Sequence, residues 1–161
     1  MARIWNLPIL YLCENNQYGM GTDFRRVSAV TDFVVMGTAY GVEGTLVNGM
    51  DVQEVHRAVS QAVARVRERS LPEFLELRTY RYRGHSMSDP AKYRTAEELE
   101  MYKKQDPILI LRSRMEEEKR LTEEQYSAME TEIKKMVDES VRFAEESPEP
   151  TPEALYEDLW A

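Results

Sequence analysis

The chain has 161 residues, 42% of them apolar and 31% charged, which suits a soluble domain with its own core. No apolar run approaches the roughly 18 residues of a membrane-spanning helix, and the N-terminal residues carry no recognisable export signal. A net charge of −8 argues against nucleic acid as a partner, because neutralising phosphates needs a surplus of Lys and Arg. The single cysteine, Cys13, cannot form an internal disulfide and fits a reducing, cytoplasmic compartment.

Residues 8–13 form a short continuous apolar run, which predicts a strand buried on both faces as in a parallel sheet. From Glu14 to about Gly44 no period is sustained, so a long loop with one short helix is expected. A weak strand around Thr45–Val47 meets the turn signal Asn48-Gly49, and Asp51 is placed to cap a helix. Valines at 52, 55, 59, 63 and 66, with Ala62, predict an amphipathic helix over 52–69. Residues 74–80 read as the next strand, and the order strand, helix, strand points to an α/β fold.

Past Tyr80 the chain turns polar and periodless, which predicts a second strand-end loop. Thr95 and Glu98 match a capping box that opens a short helix, Asp106-Pro107 starts another, and Thr122 with Gln125 matches a second box before a long helix. That helix carries Tyr126, Met129, Ile133, Met136, Val137 and Ala144 on one face. Prolines between Ser147 and Pro152 break it, and the tail from Ala154 to Trp160 needs something to pack on. Two regions follow: residues 1–94, a sheet flanked by helices, and residues 95–161, a helical C-terminal region.

In open α/β sheets ligands bind beyond the carboxyl ends of the strands, so the two strand-end loops are the candidate site. Asn15 and Asn16 could offer amide and carbonyl oxygens to a Mg²⁺ ion held by phosphates, with Gly19 and Gly21 letting the backbone bend around it; the same residues suit an ordinary turn. His85 lies in a cationic stretch, Arg78 to Arg94, in which Arg78, Arg81, Arg83, Lys92 and Arg94 face the single acid Asp89. Such a histidine could carry a proton while arginines take phosphate oxygens, or the stretch could be a surface loop with ordinary ion pairs. His56, on the valine-rich helix, reads as structural or exposed.

Three segments carry a further likeness: Glu14 to Thr22 (ENNQYGMGT), Asn48 to Asp51 (NGMD) and Thr79 to Arg94 (TYRYRGHSMSDPAKYR). In this order they resemble the alpha subunits of heterotetrameric, thiamine-diphosphate-dependent 2-oxo acid dehydrogenases of the pyruvate type, over nearly the whole chain. The resemblance implies the C-terminal part of the thiamine-diphosphate-binding α/β fold. It implies thiamine diphosphate and Mg²⁺ as cofactors, with the metal held by Asn16 and by the Tyr18 carbonyl, and Gly19 beside the cofactor. It implies that His85 lies near the reacting centre on a loop that orders over the cofactor, and that Ser86 matches a serine phosphorylated in mitochondrial relatives.

Its partners would be the beta subunit of the same enzyme, a small 2-oxo acid and the dihydrolipoyl acetyltransferase core. The Gly-Asp-Gly half of the family's cofactor motif does not occur in this sequence, which suggests a fragment with an open sheet edge and little activity or cofactor affinity alone. An acetoin dehydrogenase alpha subunit and a non-catalytic relic are the competing readings.

Overall fold

The computed structural model describes residues 1–159; Trp160, part of the expected tail, lies outside them. The chain divides into two compact units, residues 1–114 and residues 115–161. The boundary expected after Arg94 falls inside the first unit.

The first unit is built on a parallel three-stranded sheet of order β1-β5-β4, with β1 at Leu10–Asn15, β4 at Glu43–Asn48 and β5 at Glu73–Arg78. The register is even: Asn15 and Asn48 both lie opposite Arg78, so all three strands end at one level. Helix α2, Val52–Arg69, makes the crossover between β4 and β5. It starts at Asp51, whose carboxylate accepts from the Gln53 and Glu54 amides, and it ends at Ser70 in the left-handed region. Its inward face, Val55, Ala58, Val59 and Ala62, packs on Val47, Leu75 and Leu77.

Alternate residues of a strand face opposite ways. Leu75 and Leu77 therefore meet α2, while Phe74 and Glu76 face the short helix α1, Val34–Thr38, and the segment before it. Gly44 allows α1 this close: a Cβ there would stand 2.8 Å from Cγ1 of Val34.

The run at 8–13 is expected to be buried on both faces, but the strand so buried is β5. β1 begins two residues later than that run and leaves Tyr11 44% and Leu12 51% exposed, because it lies at an edge of the sheet. The expected loop from 14 to 44 holds elements besides the one short helix: a small antiparallel pair, β2 (Tyr18–Gly19) with β3 (Thr22–Asp23), and a 3-10 turn at Phe24–Arg26 precede α1. These elements are too short to impose a period on the sequence.

After β5 no helix or strand forms until α3, Ala96–Lys103, followed by α4, Pro107–Glu117. Thr95 caps α3 by accepting from the Glu98 amide. The box is half made, because the Glu98 carboxylate is bound to two tyrosines instead.

In the second unit, α5 runs over Glu123–Glu146 behind a complete capping box of Thr122 and Gln125. Its apolar face is exposed, with Ile133 59% and Met136 62% accessible. A 3-10 turn at Pro152–Tyr156 follows, and Leu155, Tyr156 and Leu159 are exposed. No helix among the described residues is long and apolar enough to cross a membrane.

Candidate functional site

Three strand ends meet at one cluster. Tyr18 follows β1, Met50 follows β4 and Tyr80 follows β5, and all three are buried together, with Tyr82, Tyr93, Leu99 and Tyr102 packed around them. The Tyr80 and Tyr102 rings stack with centroids 3.8 Å apart, and Tyr18 meets Tyr80 edge-on at 6.1 Å. The turn after β4 lies tight against β5: Gly49 donates to the Arg78 carbonyl at 2.9 Å. A Cβ on Gly49 would stand 2.5 Å from Cγ2 of Thr79, so the position requires glycine.

The tyrosine hydroxyls are anchored from α3. Oε1 of Glu98 accepts from Tyr18 at 2.7 Å and from Tyr80 at 2.9 Å. Burial, reinforced by this carboxylate, pushes both phenols above the usual tyrosine range. Burial also pushes Tyr82 up to about 12, with Asp106 adding to it. The guanidinium of Arg94 lies 5.4 Å from the Tyr80 ring centroid and donates to the Arg81 and Tyr82 carbonyls, closing the base of the loop that carries His85.

The turn after β1 is stitched to the segment after β5. Thr79 donates to the Asn15 carbonyl at 2.9 Å and Arg81 to the Asn16 carbonyl at 3.4 Å. Oδ1 of Asn16 accepts from the Tyr18 amide at 3.2 Å. The Arg81 guanidinium reaches the Tyr18 carbonyl at 3.5 Å and also the Met20 carbonyl and the Tyr93 hydroxyl. Tyr93 in turn donates to Oδ2 of Asp89 at 2.8 Å, and the same oxygen accepts from the His85 amide at 2.7 Å. The amides of His85 and Ala91 and the Tyr93 hydroxyl hold the Asp89 carboxyl below the usual range.

The structure thus brings together Asn16, Tyr18 and the base of the His85 loop. Gly19 has open space where a side chain would project. His85 itself is exposed farther along the loop, as are Ser86 and Met87, and Ser86 shares a hydroxyl contact with Ser88 at 3.1 Å. His56 is exposed on α2.

Asn15, paired with Asn16 as an oxygen donor in the sequence, is buried and turned inward to Glu76. Sequence reasoning missed Glu98 and Glu76. The first was hidden in a capping pattern, and the second reads as one of several acids in a strand. Asp89 was noticed only as a lone negative charge, although its place four residues after His85 and two before Ala91 suits a carboxylate that folds a turn around itself.

A groove of about 930 Å³ lies elsewhere, on the α1 side of β1, lined by Ile4, Tyr11, Cys13, Phe33, Met36 and Phe74 among others. Its walls are mostly apolar and include neither Asn16, Tyr18 nor His85. Cys13 faces it with a thiol raised by burial and by the nearby Glu76, the opposite of an activated nucleophile.

Comparison with known proteins gives a consistent result. The family described as "Dehydrogenase E1 component" matches residues 1–153. "Pyruvate dehydrogenase E1 component subunit alpha" of Rickettsia felis is 44% identical over 160 residues, 99% of this chain and 49% of that protein. The protein of the same name from Rhizobium meliloti is 44% identical over 160 residues, covering 99% of this chain and 46% of its own length. The mitochondrial somatic form from Bos taurus is 42% identical over 157 residues, 96% of this chain and 40% of that protein. The chain therefore spans about half the length of these curated relatives.

Proposed function

Because the chain belongs to the dehydrogenase E1 component family, we propose that it forms part of the alpha subunit of a thiamine-diphosphate-dependent pyruvate dehydrogenase (acetyl-transferring). The enzyme would decarboxylate pyruvate and pass the acetyl group to the lipoyl arm of a dihydrolipoyl acetyltransferase, with a beta subunit completing the site. The observation that carries this reading is the junction of the two strand ends, where Arg81 bonds the Asn16 carbonyl through its amide and the Tyr18 carbonyl through its guanidinium.

The residues present fit one side of a Mg²⁺ diphosphate site. Mg²⁺ takes six oxygen ligands in an octahedron and keeps several from phosphate and water. Asn16 contributes an amide oxygen with a lone pair beyond the one given to the Tyr18 amide, and the Tyr18 carbonyl accepts a long contact from Arg81. No cluster of three or more His, Cys, Asp or Glu suited to a metal occurs among the described residues. This chain would then contribute two neutral oxygens, with charge-bearing ligands coming from the diphosphate and from the rest of the enzyme.

When bound, thiamine diphosphate would supply a nucleophilic carbon and an electron sink for decarboxylation, with Asn16 and Tyr18 holding its metal. The chain's own residues would do simpler work. Asn16 and Tyr18 orient the metal, and Gly19 leaves room for close approach of the cofactor. The exposed imidazole of His85 is free to hold or transfer a proton at the mouth of the site. A bacterial setting fits the rickettsial and rhizobial relatives, and the proposed compartment is the cytoplasm.

The test is reconstitution with a beta subunit and assay of decarboxylation against pyruvate, acetoin and branched 2-oxo acids. Preference for pyruvate is expected. Preference for acetoin or a branched substrate overturns the assignment, and tight metal-dependent cofactor binding by the isolated chain overturns the half-site reading.

A further inference from the structure

β5 carries two buried carboxylates, and they are satisfied in different ways. Glu73, at its start, forms a two-pronged pair with Arg65 of α2 at 2.9 and 2.7 Å, which ties a strand to its own crossover helix. Glu76, one turn of the pleat from the strand's end, is fully buried. Its Oε1 accepts from Nδ2 of Asn15 at 2.8 Å and from Arg78 at 3.0 Å, and its Oε2 accepts from the Phe33 amide at 2.8 Å. Arg78 extends the network to the Thr31 carbonyl at 3.0 Å. Glu76 therefore fastens three separate segments: the end of β1, the stretch before α1 and the end of β5.

A buried charge in a central strand is costly, and here the cost is offset by the three donors that reach the carboxylate, from Asn15, Arg78 and the Phe33 amide. What the carboxylate adds is orientation. With Nδ2 of Asn15 held by Glu76, Oδ1 of Asn15 faces the Gln17 amide and accepts from it at 3.1 Å. Nε2 of Gln17 donates to the Asn15 carbonyl at 3.3 Å and to the Thr79 carbonyl at 3.2 Å. This bracket holds Gln17 at φ 75°, a left-handed conformation uncommon for a non-glycine residue. Asn16 sits between the two bracketed residues, so the direction of its amide and of the following Tyr18 carbonyl depends on the bracket.

We propose that Glu76 is a positioning residue for the metal-binding turn, acting through Asn15 to aim Asn16 and Tyr18. The proposal rests on the functional reading above. The probe is Mn²⁺, titrated with thiamine diphosphate into the assembled dehydrogenase containing this chain and followed by electron paramagnetic resonance.

Glu76→Gln leaves one oxygen for the three donors of Asn15, Arg78 and Phe33, so the network that fixes Asn15 loses a contact whichever way the amide turns, and Mn²⁺ binding is expected to weaken about tenfold or more, the usual effect of losing an outer-sphere partner. Glu73→Gln, roughly 10 Å away along the strand, also removes a buried carboxylate. It is expected to lower the melting temperature while leaving Mn²⁺ affinity within about twofold. Pairing Glu76→Gln with Asn15→Asp exchanges donor and acceptor across the contact and should restore most of the affinity.

Mn²⁺ affinity unmoved by Glu76→Gln, or a double variant that assembles but binds no better than the single one, overturns the proposal alone. If Glu76→Gln fails to assemble, the double variant decides the matter. Absence of Mn²⁺ binding by the unmodified assembly overturns the functional reading and this one with it.

Discussion

Tyr18 and Glu98, eighty residues apart, share a hydrogen bond of 2.7 Å, and Tyr80 donates to the same carboxylate oxygen. Through this one oxygen α3 grips the turn after β1 and the segment after β5. Glu98→Ala should therefore leave two buried hydroxyls without an acceptor and lower stability by about 2–4 kcal/mol, whereas Tyr18→Phe should cost only about 1 kcal/mol. Urea unfolding monitored by circular dichroism would measure both. Equal effects would mean that the carboxylate holds only one of the two segments.

The raised tyrosines make stability sensitive to alkali. Folded Tyr82 ionises near pH 12, and Tyr18 and Tyr80 also ionise above the ordinary value, whereas the unfolded chain releases these protons near pH 10. Their contribution is fully present below about pH 10 and is lost as pH rises from there through the folded values, because the unfolded state then gives up protons that the folded state retains. Stability should fall progressively above pH 10. Tyrosinate absorbance at alkaline pH should rise in two waves, the later one coinciding with unfolding.

Much of this arrangement was legible in the sequence, and the exceptions have physical reasons. The period of the valines from 52 to 66 marks α2 because that helix buries a single stripe, and Asp51 marks its start because the cap is made by local bonds. β1 reads as fully buried because its apolar run is that of an inner strand, yet this chain leaves one side of it open. Strand ends with Asn16 and His85 advertise a site by their polarity. The groups that shape it, Glu98 and Glu76, make contacts at separations of 80 and 61 residues, and no local pattern encodes those.

Asp89 ties the His85 amide, the Ala91 amide and the Tyr93 hydroxyl into one turn, with bonds of 2.7 to 2.8 Å. Asp89→Ala should free the loop without unfolding the sheet. Amide hydrogen exchange at residues 85–91 should accelerate about tenfold or more while β5 keeps its protection, since exposed loops open at little free-energy cost. The acid dependence has the same origin. The carboxyl is held below its ordinary value, so the ordering is present above roughly pH 4 and is lost as pH falls through the folded value. Exchange that is equally slow in the variant would show that the loop is held by Arg81 and Arg94 alone.

Two glycines separate the requirements of folding from those of the site. Gly49→Ala would drive a methyl group to 2.5 Å from Thr79 and 2.8 Å from the Arg78 carbonyl, backbone that the sheet holds in place. Overpacking of this kind should cost about 1–3 kcal/mol and lower the melting temperature accordingly. Gly19→Ala meets nothing within 4 Å, so its melting temperature should be unchanged. If Gly19 borders the cofactor, that same substitution should weaken thiamine diphosphate binding in the assembled enzyme, because the added methyl group projects into space the ligand uses. Affinity unaffected by Gly19→Ala would remove this residue from the site, while a loss of affinity at constant stability would place the cofactor against the end of β2.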